Sequence, residues 1–280
     1  MEQRVAIVTG GLRGLGRAMA LALAREGHAV AAVGHIESDV AEVTALASEL
    51  QLRDRFSPLV ADLRRPEECD RVVAETRTRF GAADILVNNA GLTFTYIDPD
   101  RYRRPTPQRF WEVGDEIIEN VMATNFLAAD RLSRRVAPGM LEKGWGRIVN
   151  VTTKLDTMNR LGTHPYGASK AALELATEVW AKDIAGTGVT INIVNPGAGA
   201  NTPGMADEMR AMSREGRAAR LVEPDEMVPP LLYVVSRAAD AVNGCRFDAN
   251  AWDAALPPQE AARRAGRPAG FVLHPADATG

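Results

Sequence analysis

Residues 4–25, RVAIVTGGLRGLGRAMALALAR, constrain the fold of this chain more than any other stretch. Residues 5–8 are a short continuous apolar run, as expected for the central strand of a parallel sheet covered on both faces. The run enters TGGLRGLGR at 9–17, and an Ala- and Leu-rich helix is expected over about 15–25. A strand, a loop and a helix N-terminus in that order bring free backbone N–H groups and the positive end of a helix dipole to one point. Phosphate binds at such points. Gly10, Gly14 and Gly16 divide the tasks of tight turn, close backbone approach to a pyrophosphate, and close packing of helix on strand.

The same rhythm continues along the chain. Strands are expected at 29–33, 56–61, 85–87, 147–151, 189–194 and 244–247, separated by helical patterns, which makes seven with the first. That alternation predicts an α/β fold, a Rossmann-type doubly wound parallel sheet of about seven strands. Residues 1–250 are expected to form one dinucleotide-binding catalytic domain with an insertion at about 92–110, and 251–280 a C-terminal extension that wraps this subunit or a neighbour. Ligands bind such sheets beyond the carboxyl ends of the strands. The loops that matter are therefore those after each strand.

At the end of the second strand stand Gly34 and His35. An acidic residue there would bond a ribose 2′-hydroxyl and repel a 2′-phosphate, whereas Gly34 leaves room for the phosphate. Arg13 and His35 could supply positive charge, so NADP is favoured, with NAD possible. Asp62 and Leu63 close the third strand, and Asp62 is either an electrostatic partner of the helix opening at Pro66 or an adenine contact. Asn88 and Asn89 end the fourth strand and can tie neighbouring backbones together while shaping the cleft. Asn125 is polar in an expected helix over 111–136, where asparagine more often caps, kinks or bonds locally.

The stretch RIVNVTTKLDTMNRLGTHPYGASK at 147–170 carries the chemistry. Thr152 and Thr153 end a buried strand, and a helix opens at about Pro165. Tyr166 and Lys170 then share one helical face, so an ammonium can act on a phenol or on what the phenol touches. Two further segments border this region. Residues 92–110 are long, Pro-rich and aromatic, either a functional loop or a surface insertion. The residues after Gly197 join small flexible positions to a Met-containing helix, as a movable lid would, and the two segments are expected to cover the substrate jointly.

Composition removes several classes. A net charge of -3 without long blocks of one sign argues against nucleic acid and a membrane surface. Two distant cysteines, Cys69 and Cys245, suit neither a disulfide framework nor a thiolate metal site, and no metal is expected. A strand opening at Arg4 and Val5 leaves no room for a signal peptide, so a cytoplasmic protein is expected.

TGGLRGLG at 9–16, Asp62, NNAG at 88–91, Asn125, Thr153, Tyr166 with Lys170, and PG at 196–197 together resemble the short-chain dehydrogenase/reductase family over about residues 4–250. The resemblance implies a nicotinamide dinucleotide, an oxidoreductase acting on a small-molecule carbonyl or secondary alcohol, and a homodimer or homotetramer. By position, Tyr166 is the general acid/base, Lys170 holds the nicotinamide ribose and lowers the tyrosine pKa, and Asn125 supports a water-linked proton relay. Thr153 stands where the family ordinarily has serine; it keeps the hydroxyl but adds a methyl group and a stiffer χ1. Cofactor contacts fall on Gly10, Arg13, Gly14, Leu15 and Gly16, on His35, Asp62 and Leu63, on Asn89, Ala90 and Gly91, and on Tyr166, Lys170, Pro196, Gly197 and Thr202. A dinucleotide-binding protein without catalysis is the rival reading.

Overall fold

The computed structural model describes residues 2–271. Its sheet is built from β1 (Val5–Thr9), β2 (Ala29–Gly34), β3 (Phe56–Val60), β4 (Ile85–Asn88), β5 (Gly146–Asn150), β6 (Val189–Asn195), β7 (Cys245–Asp248) and β8 (Gly266–Pro268). Their spatial order is β3-β2-β1-β4-β5-β6-β7-β8. The first seven run parallel, and β8 pairs antiparallel with β7 through Cys245↔Pro268, Arg246↔Arg267 and Phe247↔Gly266. The sheet thus has eight strands where the sequence pattern predicts seven. Gly-Arg-Pro has neither alternation nor β-branched residues, so β8 exists because β7 offers it a partner, and local propensity gives no sign of it.

Helices cover both faces. On one side, α1 (Gly14–Arg25) and α2 (Asp39–Glu49) bury Met19, Leu23 and Val43 against β1 and β2. The opposite side carries α3 (Pro66–Phe80), which inserts Cys69 and Val72. After β4 come the short α4 (Phe94–Ile97) and then α5 (Asp115–Met122), a π-turn at Ala123–Leu127, and α6 (Ala128–Lys143) with Leu132, Val136 and Met140 in the core. The single helix expected over 111–136 is thus interrupted, and the widened turn centres on Asn125. A π-turn inside a helix often marks a functional position.

A short α7 (Leu155–Met158) precedes α8 (Tyr166–Asp183), and beyond β6 lie α9 (Asp207–Arg214), α10 (Val228–Val235) and α11 (Pro258–Ala265). The described part of the tail, residues 250–271, packs on the sheet and on α10. Trp252 packs on Tyr233 and Phe247, with ring centroids 5.7 and 6.2 Å away, and α11 buries Ala261, Ala262 and Ala265. Residues of the 251–280 segment from 272 onward lie outside the described residues. Among the described residues, no helix is long and apolar enough to cross a membrane.

Candidate active site

Parallel strands point their carboxyl ends the same way, so the exits of β1, β4, β5 and β6 gather around one cleft, where the strand order reverses between β1 and β4. The glycine loop forms its floor. Gly10 and Gly14 have φ of +63° and +57°, in the left-handed region that a side chain disfavours. A Cβ on Gly16 would lie 2.0 Å from the Gly10 carbonyl oxygen, so only glycine lets α1 start this close to β1. The loop rests on Asn89, whose side-chain amide donates to the Thr9 carbonyl at 2.9 Å. Thr9 Oγ1 accepts in turn from the backbone N–H groups of Asn89 and Ala90, at 2.9 and 3.0 Å. Asn88 bonds Asn150 and Ser133, at 2.8 and 3.1 Å, and so ties β4 to β5 and α6. The two asparagines therefore join backbones and shape the cleft at once.

At the adenosine end the reason for Gly34 differs from the expected one. A Cβ there would lie 2.7 Å from Leu12 Cδ1, so the space beside Gly34 is filled by the buried Leu12 of the glycine loop and offers no room for a phosphate. The position still carries no carboxylate. Arg13 is partly exposed, with its Nε 3.6 Å from Asp39 Oδ2, so its charge is shared with an acid at the start of α2. His35 is exposed. Asp62 is held by Arg64 at 2.7 Å, which pushes its carboxyl below the usual range, and Leu63 beside it is buried.

The catalytic candidates converge beyond β4 and β5. Lys170 is buried and donates to the Val151 carbonyl at 2.8 Å, and burial lowers its ammonium to about 8. Tyr166, one helical turn earlier, has its phenol pushed up by burial, and the Thr153 hydroxyl facing it works against that rise. Asn125 spends both amide protons, on the Leu92 carbonyl at 3.1 Å and Ser169 Oγ at 3.0 Å, while its oxygen accepts from the Leu92 N–H at 2.7 Å. What it fixes is the strand exit at Gly91, where an added Cβ would sit 3.4 Å from Asn125 Oδ1 and 3.5 Å from Lys170 Nζ.

The two bordering segments meet over this point. Phe94 packs on Tyr166 with ring centroids 4.6 Å apart, and the Arg101 guanidinium lies 4.2 Å from the Phe94 ring centroid. Ile97, Val113 and Val121 form a small apolar core of their own, against which Tyr166 packs. Thr93 and Thr95 both donate to the Gly204 carbonyl, at 3.2 and 2.9 Å, and Arg103 pairs with Glu208 at 3.1 Å. Thr202 and Pro203 lie against Gly14, within 3.6 and 3.3 Å of where its Cβ would be. Pro196 and Gly197 line the β6 exit, with the Gly197 N–H bonded to Asn195 Oδ1 at 2.8 Å. Residues 92–110 and the segment after Gly197 are therefore held together beside Tyr166 and the glycine loop.

Five contributors escape a reading of the sequence: Thr9, Leu12, Ser169, Glu174 and Arg246. Glu174 and Arg246 are fully buried and pair at 2.6 Å directly behind Thr152 and Thr153. Glu174 had a signal, since it follows Lys170 by four residues and so shares its buried face. Arg246 had none.

Comparison with known proteins agrees with this geometry. The short chain dehydrogenase family model matches residues 4–213. Nodulation protein G of Azospirillum brasilense is 32% identical over 253 residues, covering 89% of this chain and 98% of that protein. The 3-oxoacyl-(acyl-carrier-protein) reductase FabG of Vibrio cholerae is 32% identical over 247 residues, covering 87% and 94%. A crystal structure of a variant actinorhodin polyketide ketoreductase with NADPH superposes with a TM-score of 0.71 at 28% identity, over 86% of this chain and 93% of that one. A match running from the first strand past the tyrosine helix leaves one assignment: the chain belongs to the short chain dehydrogenase family.

Proposed function

We propose that this protein is an NADPH-dependent ketoreductase, moving a hydride between the nicotinamide cofactor and a carbonyl compound or the corresponding secondary alcohol. The observation that carries the reading is the meeting of Tyr166, Lys170 and Thr153 at the β5 exit, across β4 from the glycine cradle. The cradle fits a dinucleotide, because the positions facing it are those where a Cβ would collide or strain the backbone. Arg13, the missing acid at Gly34 and the NADPH of the solved relative favour the phosphorylated cofactor. Residues 10–16 would take the pyrophosphate at the start of α1. His35, Asp62 and Leu63 border the adenosine end, and Asn89, Ala90, Gly91, Lys170 and the 196–202 loop border the nicotinamide end.

When bound, the nicotinamide supplies the hydride chemistry. The chain supplies the proton and the field. In reduction, Tyr166 gives its phenolic proton to the carbonyl oxygen, and the Thr153 hydroxyl donates a hydrogen bond to the same oxygen as negative charge develops there. Burial keeps the phenol protonated, so its acidity must come from a nearby cation that stabilises phenolate, and Lys170 is that cation. Asn125 positions the strand exit that both use.

The relatives' names point to 3-oxoacyl and polyketide carbonyls, so β-keto thioesters and esters are the first substrates to test. A carbonyl and alcohol panel followed at nicotinamide absorbance, with each cofactor, tests the reading; cofactor binding without turnover of any compound would favour a catalytically silent dinucleotide-binding protein. The protein assembles as a homodimer or homotetramer in this reading, supported by the exposed apolar Leu175 and Val179 one turn apart on α8. Sedimentation of the parent and Val179→Glu measures this directly.

A further inference from the structure

We propose that the buried Arg246–Glu174 ion pair positions Thr153, and that through it the C-terminal strand is a working part of the active site. The inference rests on the role given to Thr153 in the proposed reaction.

One face of α8 presents Tyr166, Lys170, Glu174 and Thr177 to the end of β5, at the three- and four-residue spacings of a helical stripe. They grip the strand almost residue by residue. Asn150 Nδ2 donates to Thr177 Oγ1 at 2.8 Å, Lys170 Nζ donates to the Val151 carbonyl at 2.8 Å, and Thr152 Oγ1 donates to Glu174 Oε2 at 2.9 Å. The Thr153 carbonyl, two residues on from that of Val151, lies beyond the last ladder pair of β5 and β6. Arg246 reaches it from β7: Nη2 donates to the Thr153 oxygen at 2.9 Å, and Nη1 donates to Glu174 Oε2 at 2.6 Å. Both charged side chains are 0% exposed.

The pair is anchored from the chain's end. Asp248 accepts from Arg246 at 3.0 Å and pairs with Arg267 of β8 at 2.8 Å, while the Gly270 N–H donates to Glu174 Oε1 at 3.3 Å. Asp248 also accepts from Asn195 Nδ2, and Asn195 holds the Gly197 N–H. One charged network therefore links β8, the Thr153 exit and the loop at Pro196 and Gly197.

Stability is a poor reason for such a network, because a buried ion pair seldom improves on apolar packing of the same volume. What apolar side chains cannot do is donate to the Thr153 carbonyl or accept from the Thr152 hydroxyl. Those two bonds fix the backbone on either side of the Thr153 side chain, and with it the direction of a hydroxyl that must meet a substrate oxygen.

The test replaces the pair by apolar residues, Glu174→Leu with Arg246→Met, in parent and Thr153→Ala backgrounds. Thermal unfolding, cofactor affinity and steady-state rates are then measured on a ketone that the parent reduces. We expect parental unfolding and cofactor affinity, turnover lowered about 10- to 100-fold in the parent background, and no further loss once Thr153 is alanine. Parental turnover in the double variant, or equal losses in both backgrounds, overturns the inference. Thr153→Ala with parental turnover overturns it together with the role of Thr153; loss in Thr153→Ala but none in the ion-pair variant overturns the inference alone. Should the apolar pair not fold, Arg246→Lys serves instead. It keeps the charge facing Glu174 but cannot span Glu174, Asp248 and the Thr153 carbonyl, so the same loss is expected and parental turnover again overturns the inference.

Discussion

The glycine cradle between β1 and α1 is made of backbone, while the catalytic corner at the β5 exit is made of side chains. In the cradle, specificity comes from what is absent: no Cβ on Gly10, Gly14 or Gly16, and no acid at Gly34. The fixed groups are N–H dipoles that need no charge partner, and Asn89 holds them from beneath. In the corner, the working groups are polar or charged side chains taken out of water and held by others: Lys170 by Val151, Glu174 by Arg246, Asn125 by Leu92 and Ser169. The cradle can be damaged mainly by adding atoms. The corner can be damaged by removing them.

Four outcomes would sharpen or break that contrast. Tyr166→Phe removes the proton donor from the corner and should lower turnover by about 10²- to 10⁴-fold while cofactor affinity, read by fluorescence titration, stays near parental. A matching loss of affinity would mean that the two regions are not separable. Thr153→Val keeps the branched shape without the donor; a loss of about 100- to 1,000-fold in kcat with KM little changed is expected, and Thr153→Ser should retain most activity.

Arg13→Ala acts on the other region. It should weaken NADPH about tenfold and leave NADH alone, a modest effect because the guanidinium is partly exposed and shared with Asp39. Equal losses for both cofactors would remove Arg13 from the 2′-phosphate. The last effect is one of pH, smallest near neutrality. With Lys170 lowered to about 8, its ammonium is present below that pH and lost above it, so kcat for reduction should decline as pH rises through about 8, approaching tenfold per unit beyond. A flat profile to pH 9.5 would show that the lysine charge is not what makes the phenol acidic.

How much of this was legible in the sequence follows the same division. The cradle is local, contained in thirteen residues from Val5 to Arg17, so periodicity and glycine spacing reveal it. Tyr166, Lys170 and Thr153 are legible for the same reason, being two ends of one strand-loop-helix unit and matching a family pattern. The second strand marks a limit: the absence of an acid at Gly34 is visible in the sequence, but the cause of the glycine, Leu12, comes from another element. Arg246 could not be read at all. Its partner Glu174 is 72 positions away, and a lone arginine in a four-residue strand looks like a surface residue until the sheet order sets it behind Thr153. The eighth strand failed for a related reason, since its formation depends on the edge of β7.

That eighth strand also decides how the sheet ends. Its three residues finish on Pro268, and the opposite border, β3, contains Pro58, so each outer strand carries a residue with no N–H to offer. An incoming strand from another molecule finds a short, charged margin on one side and an interrupted one on the other, a poor template for strand-by-strand growth into aggregates.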